Sequence, residues 1–101
     1  MGIKDLNRES VLQALASHRS EFENRFGITK MGIFGSFARD QGRDDSDIDV
    51  VVEMREPDML YVVHIKEALE KDFNRTVDVV RYRSKMNRFL KARIDQEARY
   101  V

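Results

Sequence analysis

The sequence has 101 residues, of which 42% are hydrophobic and 36% charged, so it suits one small globular domain with a heavily charged surface. Its 18 Lys and Arg residues balance 18 Asp and Glu residues, and this zero net charge argues against broad, charge-driven binding to nucleic acid. The lack of cysteine excludes disulfides and thiolate metal sites, and no stretch suggests a membrane span or a signal peptide, which favours a cytoplasmic protein.

The first predicted element is an amphipathic helix over residues 8–26, because apolar positions recur there at a spacing of three to four. These positions are Val11, Leu15, His18, Phe22 and Phe26. A lone histidine in such a stripe is expected at the edge of the core. Gly27 ends the helix, and a strand over Ile28–Phe34 follows. Gly32 inside this strand indicates a close backbone approach of the kind that a nucleotide site needs.

Gly35 and Ser36 turn the chain between this strand and a short helix that Phe37, Ala38 and Arg39 can start. Without a Cβ, Gly35 lets a ligand approach the backbone, and Ser36 suits an N-cap, where N–H groups bind anions. Arg39, one turn into the helix, could add a charge-assisted contact to a phosphate. Taken alone, the turn is read more simply as an ordinary helix cap.

A charged loop leads to a second strand at about residues 47–53, which opens with Asp47 and Asp49. Residues two apart on a strand share a face, so these carboxylates lie on one side, with their Cβ atoms about 7 Å apart. They repel unless a cation neutralises them, and their oxygens suit Mg²⁺ or Mn²⁺. An isolated Asp-x-Asp more often ends a strand at a solvated edge, but here it follows the Gly-Ser turn after ten residues.

The next helix is predicted to open at residues 56–58, with Pro57 in its first turn. Its buried stripe is expected to comprise Val62, Ile65, Leu69 and Phe73, and His64 falls off that stripe. Neither histidine of the chain has a second one at a metal-binding spacing, so no zinc site is expected.

A third strand is predicted over Thr76–Tyr82, and its Asp78 converges with Asp47 and Asp49 if the two strands are neighbours. Ser84 suits the N-cap of a last helix, and residues 98–101 suit a short edge strand. Alternating helices and strands predict an α/β fold in which helices flank a small sheet.

Several segments resemble a known family. Gly35-Ser36, ten residues and then Asp47-x-Asp49 resemble the signature of the nucleotidyltransferase superfamily that includes DNA polymerase beta. The segments Gly-Ser-Phe-Ala-Arg and Ser-Asp-Ile-Asp resemble those of its smallest members, the minimal nucleotidyltransferase (MNT) domains. The resemblance runs from Gly32 to the end of the chain and departs at Asp40, where many relatives have Gly.

The resemblance implies one MNT domain over residues 1–101 with a small mixed sheet. It implies that Asp47, Asp49 and Asp78 are catalytic and hold two Mg²⁺ ions (Mn²⁺ being an alternative), while Gly35, Ser36 and Arg39 bind the phosphates of ATP. MNT proteins of this type transfer AMP to a tyrosine of a HEPN ribonuclease toxin and act as its antitoxin. The expected partner is therefore a HEPN toxin in a hetero-oligomer, without a membrane and without direct nucleic-acid binding.

Two other functions stay open at this point. The chain could be a homodimeric nucleotidyltransferase for a small molecule, or an antitoxin that masks its partner by binding alone. Full retention of the five residues Gly35, Ser36, Asp47, Asp49 and Asp78 argues against a non-catalytic role.

Overall fold

The computed structural model describes residues 6–101, in which five helices flank a four-stranded mixed sheet. The elements are α1 (Arg8–Ser17), α2 (Arg19–Phe26), β1 (Ile28–Phe34), α3 (Gly35–Ala38), β2 (Ile48–Met54), α4 (Met59–Phe73), β3 (Val77–Arg81), α5 (Arg88–Glu97) and β4 (Arg99–Tyr100). This confirms the predicted α/β class. Residues 1–5 of the expected domain lie outside the described residues. None of the helices within residues 6–101 combines the length and the apolar character that crossing a membrane requires.

The strand order is β3-β2-β1-β4, so β2 is an inner strand and β3 lies at one edge. β2 and β3 run parallel, whereas β1 pairs antiparallel with both β2 and β4. A parallel pair needs a long crossover, and α4 provides it. The register places Phe34 opposite Asp49 and Asp49 opposite Asp78, so two of the three predicted carboxylates are direct neighbours.

The two faces of the sheet carry separate apolar clusters. On one face Val50 and Val52 of β2 pack in the larger cluster with residues of α1, α2 and α4. On the other face Val51 packs with Phe34 and with Ile94 of α5. Because side chains alternate along a strand, Asp49 shares the face of Val51 and therefore points to the side that α5 covers.

The buried stripe of α4 is confirmed. Its four predicted positions are all 9% exposed or less, and His64 is exposed as expected. The start of this helix was predicted wrongly, because Pro57 precedes the helix instead of lying in its first turn. Asp58 is the N-cap, and its Oδ1 accepts hydrogen bonds from the backbone N–H groups of Leu60 and Tyr61 at 2.9 and 3.4 Å.

The last helix also begins later than predicted. Ser84 is not its N-cap; Asn87 is, with Oδ1 accepting from the N–H groups of Phe89 and Leu90 at 3.0 Å each. Serine and asparagine are both good caps, so composition alone did not decide between them. The short edge strand at the end of the chain is confirmed as β4.

The prediction of one helix over residues 8–26 was wrong, because His18 separates α1 from α2. Its ring stacks on Phe22, with ring centroids 4.9 Å apart, and its Nε2 contacts the Asp72 carboxylate of α4. This places His18 at the edge of the core as expected, with 15% of its side chain exposed. The apolar stripe continues across the break, so periodicity could not reveal it.

The close backbone approach predicted at Gly32 is made by strand β4. A Cβ on Gly32 would lie 2.9 Å from the Arg99 carbonyl carbon and from the Tyr100 Cα, closer than real Cβ contacts come. The glycine therefore lets β4 pair against β1, where Gly32 and Tyr100 are register partners.

Candidate functional site

Three carboxylates lie at the start of the parallel pair β2 and β3. Asp49 and Asp78 are register partners on adjacent strands, whose backbones lie about 4.8 Å apart in a sheet of this kind. Asp47 lies one residue before β2. Asp49 is half-buried, whereas Asp47 and Asp78 are exposed, so the group opens to solvent on one side.

The electrostatics of Asp49 reflect this crowding. Burial raises the pKa of its carboxyl above the ordinary value, and the negative charges of Asp78 and Asp47 raise it further. The positive charges of Arg93 and Arg39 act in the opposite direction but do not cancel the rise. The charged form of Asp49 is therefore disfavoured until a further positive charge arrives.

The donor set fits a hard divalent cation, because it consists of carboxylate oxygens that repel one another. Among residues 6–101 no group of three or more His, Asp or Glu side chains is arranged to hold a metal ion as it stands. Asp47, Asp49 and Asp78 are thus brought within electrostatic range of each other without forming a closed cage. Their role as metal ligands stays a prediction.

Gly35 lies directly against Asp49. Its φ is +75°, a left-handed conformation that non-glycine residues rarely adopt. A Cβ at Gly35 would lie 3.2 Å from the Asp49 Cγ and closer still to its Oδ2. The missing side chain therefore makes room for the Asp49 carboxylate. At the same glycine the sequence predicted the approach of a ligand to the backbone.

The short helix α3 begins two residues earlier than predicted. Phe34 is its N-cap, Gly35 its first residue and Ser36 its second, so the prediction of Ser36 as the N-cap was wrong. Phe37 and Ala38 are buried and hold this turn against the core. Ser36 is partly exposed next to Gly35.

Arg39 reaches the site from the end of α3, but its partner is a residue that the sequence did not single out. Its Nη1 donates to Glu97 Oε1 at 2.9 Å, and Glu97 Oε2 accepts the Gly35 N–H at 3.0 Å. Arg93, one turn earlier on α5, is also close enough to lower the pKa of Asp49. One signal pointed to Glu97: a carboxylate in the last turn of a helix opposes the helix dipole and needs a partner elsewhere.

The sheet, the glycine turn and the facing carboxylates define a nucleotidyltransferase of the polymerase beta class. The chain belongs to the family described as Polymerase beta, Nucleotidyltransferase, which it matches over residues 18–101. It is 36% identical over 76 residues to the protein adenylyltransferase MntA of Thermococcus cleftensis, covering 74% of this chain and 77% of that protein.

Two solved structures share the fold. One is a minimal nucleotidyltransferase, with a TM-score of 0.78 and 30% identity over 96% of this chain and 98% of that one. The other is the complex of a tri-AMPylated HEPN toxin of Shewanella oneidensis with an MNT antitoxin, with a TM-score of 0.67, 17% identity and coverage of 92% and 70%. At that identity the second likeness shows the fold alone.

Proposed function

We propose that residues 1–101 form one minimal nucleotidyltransferase domain that transfers AMP from ATP to a hydroxyl of a partner protein. The acceptor is a tyrosine of a HEPN-domain toxin, and the modification silences that toxin, so this chain acts as the antitoxin. The observation that carries the proposal is the pairing of Asp49 with Asp78 beside Gly35, because it places acidic groups next to a turn that can receive a phosphate chain.

In this proposal Gly35, Ser36 and Arg39 receive the triphosphate. Asp47, Asp49 and Asp78 hold the divalent cations, Mg²⁺ or Mn²⁺, which supply positive charge to the phosphates and to the departing pyrophosphate. The raised pKa of Asp49 supports this role, since a cation relieves the repulsion that causes part of it.

The group transfer itself is a displacement at phosphorus. The acceptor oxygen bonds to the α-phosphorus, the bond from that phosphorus to the bridging oxygen breaks, and pyrophosphate leaves with the electron pair. In this proposal Asp78, which is exposed on the edge strand β3, takes the proton of the acceptor hydroxyl. The protein mainly positions the reactants and neutralises charge.

The nature of the acceptor rests on the relatives. One relative is named a protein adenylyltransferase, and a fold neighbour is an MNT antitoxin seen with an AMPylated HEPN toxin. Asp47 and Asp78 are exposed to solvent, so a hydroxyl of another protein could reach the three carboxylates from that side.

Co-expression with the cognate HEPN-domain toxin that this function requires tests the proposal. Intact-mass spectrometry should find AMP-sized additions on the partner, and they should vanish in the double variant Asp47→Asn/Asp49→Asn. The matched control is Asp44→Asn/Asp45→Asn, which removes the same charge from the exposed loop just upstream and should leave the additions unchanged.

The two alternative functions predict different outcomes. A partner that is neutralised but stays unmodified, with the double variant still protective, would establish inhibition by binding alone. An unmodified partner together with AMP transfer to an added small molecule would indicate a small-molecule nucleotidyltransferase.

A further inference from the structure

Glu97, the last residue of α5, accepts hydrogen bonds with both carboxylate oxygens from the glycine turn of the candidate site. Oε2 accepts the Gly35 N–H at 3.0 Å, and Oε1 accepts from Arg39 Nη1 at 2.9 Å. The Glu97 side chain is 18% exposed and its hydrogen bond with Gly35 is partly buried, whereas the Arg39 side chain is 41% exposed. Charge-assisted hydrogen bonds of this kind are shorter and stronger than neutral ones.

The position of Glu97 is set by the packing of its helix. Three residues earlier, Ile94 is fully buried in the cluster with Phe34 and Val51. Directly after Glu97 the chain leaves the helix at Ala98 and enters β4. The carboxylate is therefore held between a buried anchor and a strand, although a helix C-terminus disfavours its charge. Its two contacts offset that cost.

These contacts constrain Gly35 through its N–H, in a direction different from that of Asp49. The N–H of Gly35 points to Glu97, while the position of its missing Cβ faces the Asp49 carboxylate. A rotation of the peptide between Phe34 and Gly35 would break the hydrogen bond and alter the contact with Asp49 together.

We propose that Glu97 is a positioning residue for nucleotidyl transfer, which fixes the orientation of the Gly35 peptide and holds Arg39 beside it. The inference rests on the proposed function, because it assumes that the triphosphate binds at this turn. Glu97 touches neither the reacting phosphorus nor the acceptor and acts only through Gly35 and Arg39.

A competing role makes the opposite prediction. The Glu97 carboxylate is an anion bound to an N–H group that could itself bind a phosphate, so it could act as a competitor of the nucleotide. Removing a competitor tightens binding, whereas removing a positioning group weakens it. The sign of the change in affinity therefore decides between the two.

The test is calorimetric titration of the full chain with the ATP analogue AMP-PNP in the presence of Mg²⁺. Glu97→Ala should raise the Kd about 10- to 100-fold, the size expected when one hydrogen bond to a charged phosphate is lost. Glu97→Gln keeps an oxygen that can accept the Gly35 N–H but turns an NH2 group, which cannot accept, towards the Arg39 guanidinium. Its Kd should therefore lie between those of the wild type and Glu97→Ala. Glu67→Gln, on the exposed face of α4, makes the same charge change away from the site and should have no effect.

A proton–nitrogen NMR spectrum gives a readout that does not depend on nucleotide. The Gly35 amide signal should move in Glu97→Ala, return towards its wild-type position in Glu97→Gln and stay in place in Glu67→Gln. If Glu97→Ala does not fold, Glu97→Asp, which is one methylene shorter, replaces it in both experiments with the same expectation.

The possible outcomes distinguish a failure of this inference from a failure of the proposed function. A wild type that binds the nucleotide with Mg²⁺ while Glu97→Ala binds equally well, or more tightly, overturns the role of Glu97 and leaves the proposed function standing. If Glu97→Gln returns the Gly35 amide signal to its wild-type position but restores no binding, the role assigned to the Gly35 peptide is overturned. If the wild type does not bind AMP-PNP at all, both the role of Glu97 and the proposed function are overturned.

Discussion

The carboxylate of Asp49 lies in the space that a side chain at position 35 would fill, so Gly35 and Asp49 depend on each other. A Cβ at Gly35 would come within 3.2 Å of the Asp49 Cγ. The two residues are 14 positions apart in sequence and meet because Phe34, the last residue of β1, pairs with Asp49 of β2.

Substitution of Gly35 should therefore disturb Asp49 beyond the usual cost of a positive φ. Gly35→Ala combines the strain of a left-handed backbone, about 1–2 kcal/mol, with displacement of the carboxylate. Gly27→Ala is the matched control, since its φ is +69° but its Cβ would meet only the Arg55 Cβ at 3.9 Å. Thermal unfolding should show a loss of stability in both variants, larger in Gly35→Ala, and only that variant should lose AMP transfer. Equal stability losses with transfer intact in both would show that Asp49 moves aside freely.

Nucleotide binding should depend on a divalent cation. A divalent cation held by Asp47, Asp49 and Asp78 would relieve their mutual repulsion and add positive charge for the phosphates. AMP-PNP should therefore bind at least about tenfold more tightly with Mg²⁺, which corresponds to about 1.4 kcal/mol. Calorimetry with and without a chelator measures the difference. Affinity that survives chelation would contradict the two-metal reading.

The stability of the metal-free protein should carry a pH signature from Asp49. Its pKa is raised in the folded state, so the native protein holds a proton that the unfolded chain has already released. This carboxyl therefore lowers the free energy of unfolding as pH rises from its ordinary pKa to the raised one, and the loss persists at higher pH. Asp49→Asn removes this contribution and should be at least as stable as the wild type at neutral pH.

Urea unfolding of both proteins from pH 4 to 7 isolates this effect, because carboxyls with lowered pKa, such as Glu21 and Asp95, act equally in both. The wild type should lose stability relative to Asp49→Asn as pH rises, and Mg²⁺ should stabilise only the wild type. Collapse of the fold in Asp49→Asn would reveal a structural role for this carboxylate instead.

The cap of α5 should matter for stability but not for chemistry. Asn87→Ala removes the acceptor for two N–H groups and should cost about 1 kcal/mol. In a domain of this size that is a fall in Tm of about 4–8 °C. Ser84→Ala should change the Tm little, because the helix begins after it. Equal effects of the two variants would place the helix start where the sequence suggested it.

The fold was largely predictable because its elements carry strong local patterns. The seven-residue β1 and the stripe of α4 follow from apolar periodicity, and the resemblance supplied the mixed sheet. The errors lie where two local signals compete or where tertiary contacts decide. The cap at Asn87 is of the first kind, and the break at His18, whose ring meets Asp72 of α4, is of the second.

The candidate site was predictable only in part. Spacing put Asp47 and Asp49 together at the second strand, although Asp47 lies one residue before β2, and the third strand added Asp78. The contacts of Glu97 could not be read from spacing, because Gly35 and Arg39 lie 62 and 58 residues away along the chain. Likewise, Gly35 and Gly32 were recognised as close-approach positions, but the groups that approach them are Asp49 and β4, which only the register of the sheet reveals.

The place of the two facing strands in the sheet has a consequence for local opening. β2 is hydrogen-bonded on both sides, whereas β3 is the terminal strand of the described sheet and is held by β2 alone. In hydrogen exchange, the amides around Asp49 should therefore open only with the whole domain, while those around Asp78 can open by fraying of the edge. The site can thus come apart from one side, with Asp78 withdrawing while Asp49 and Gly35 stay in place.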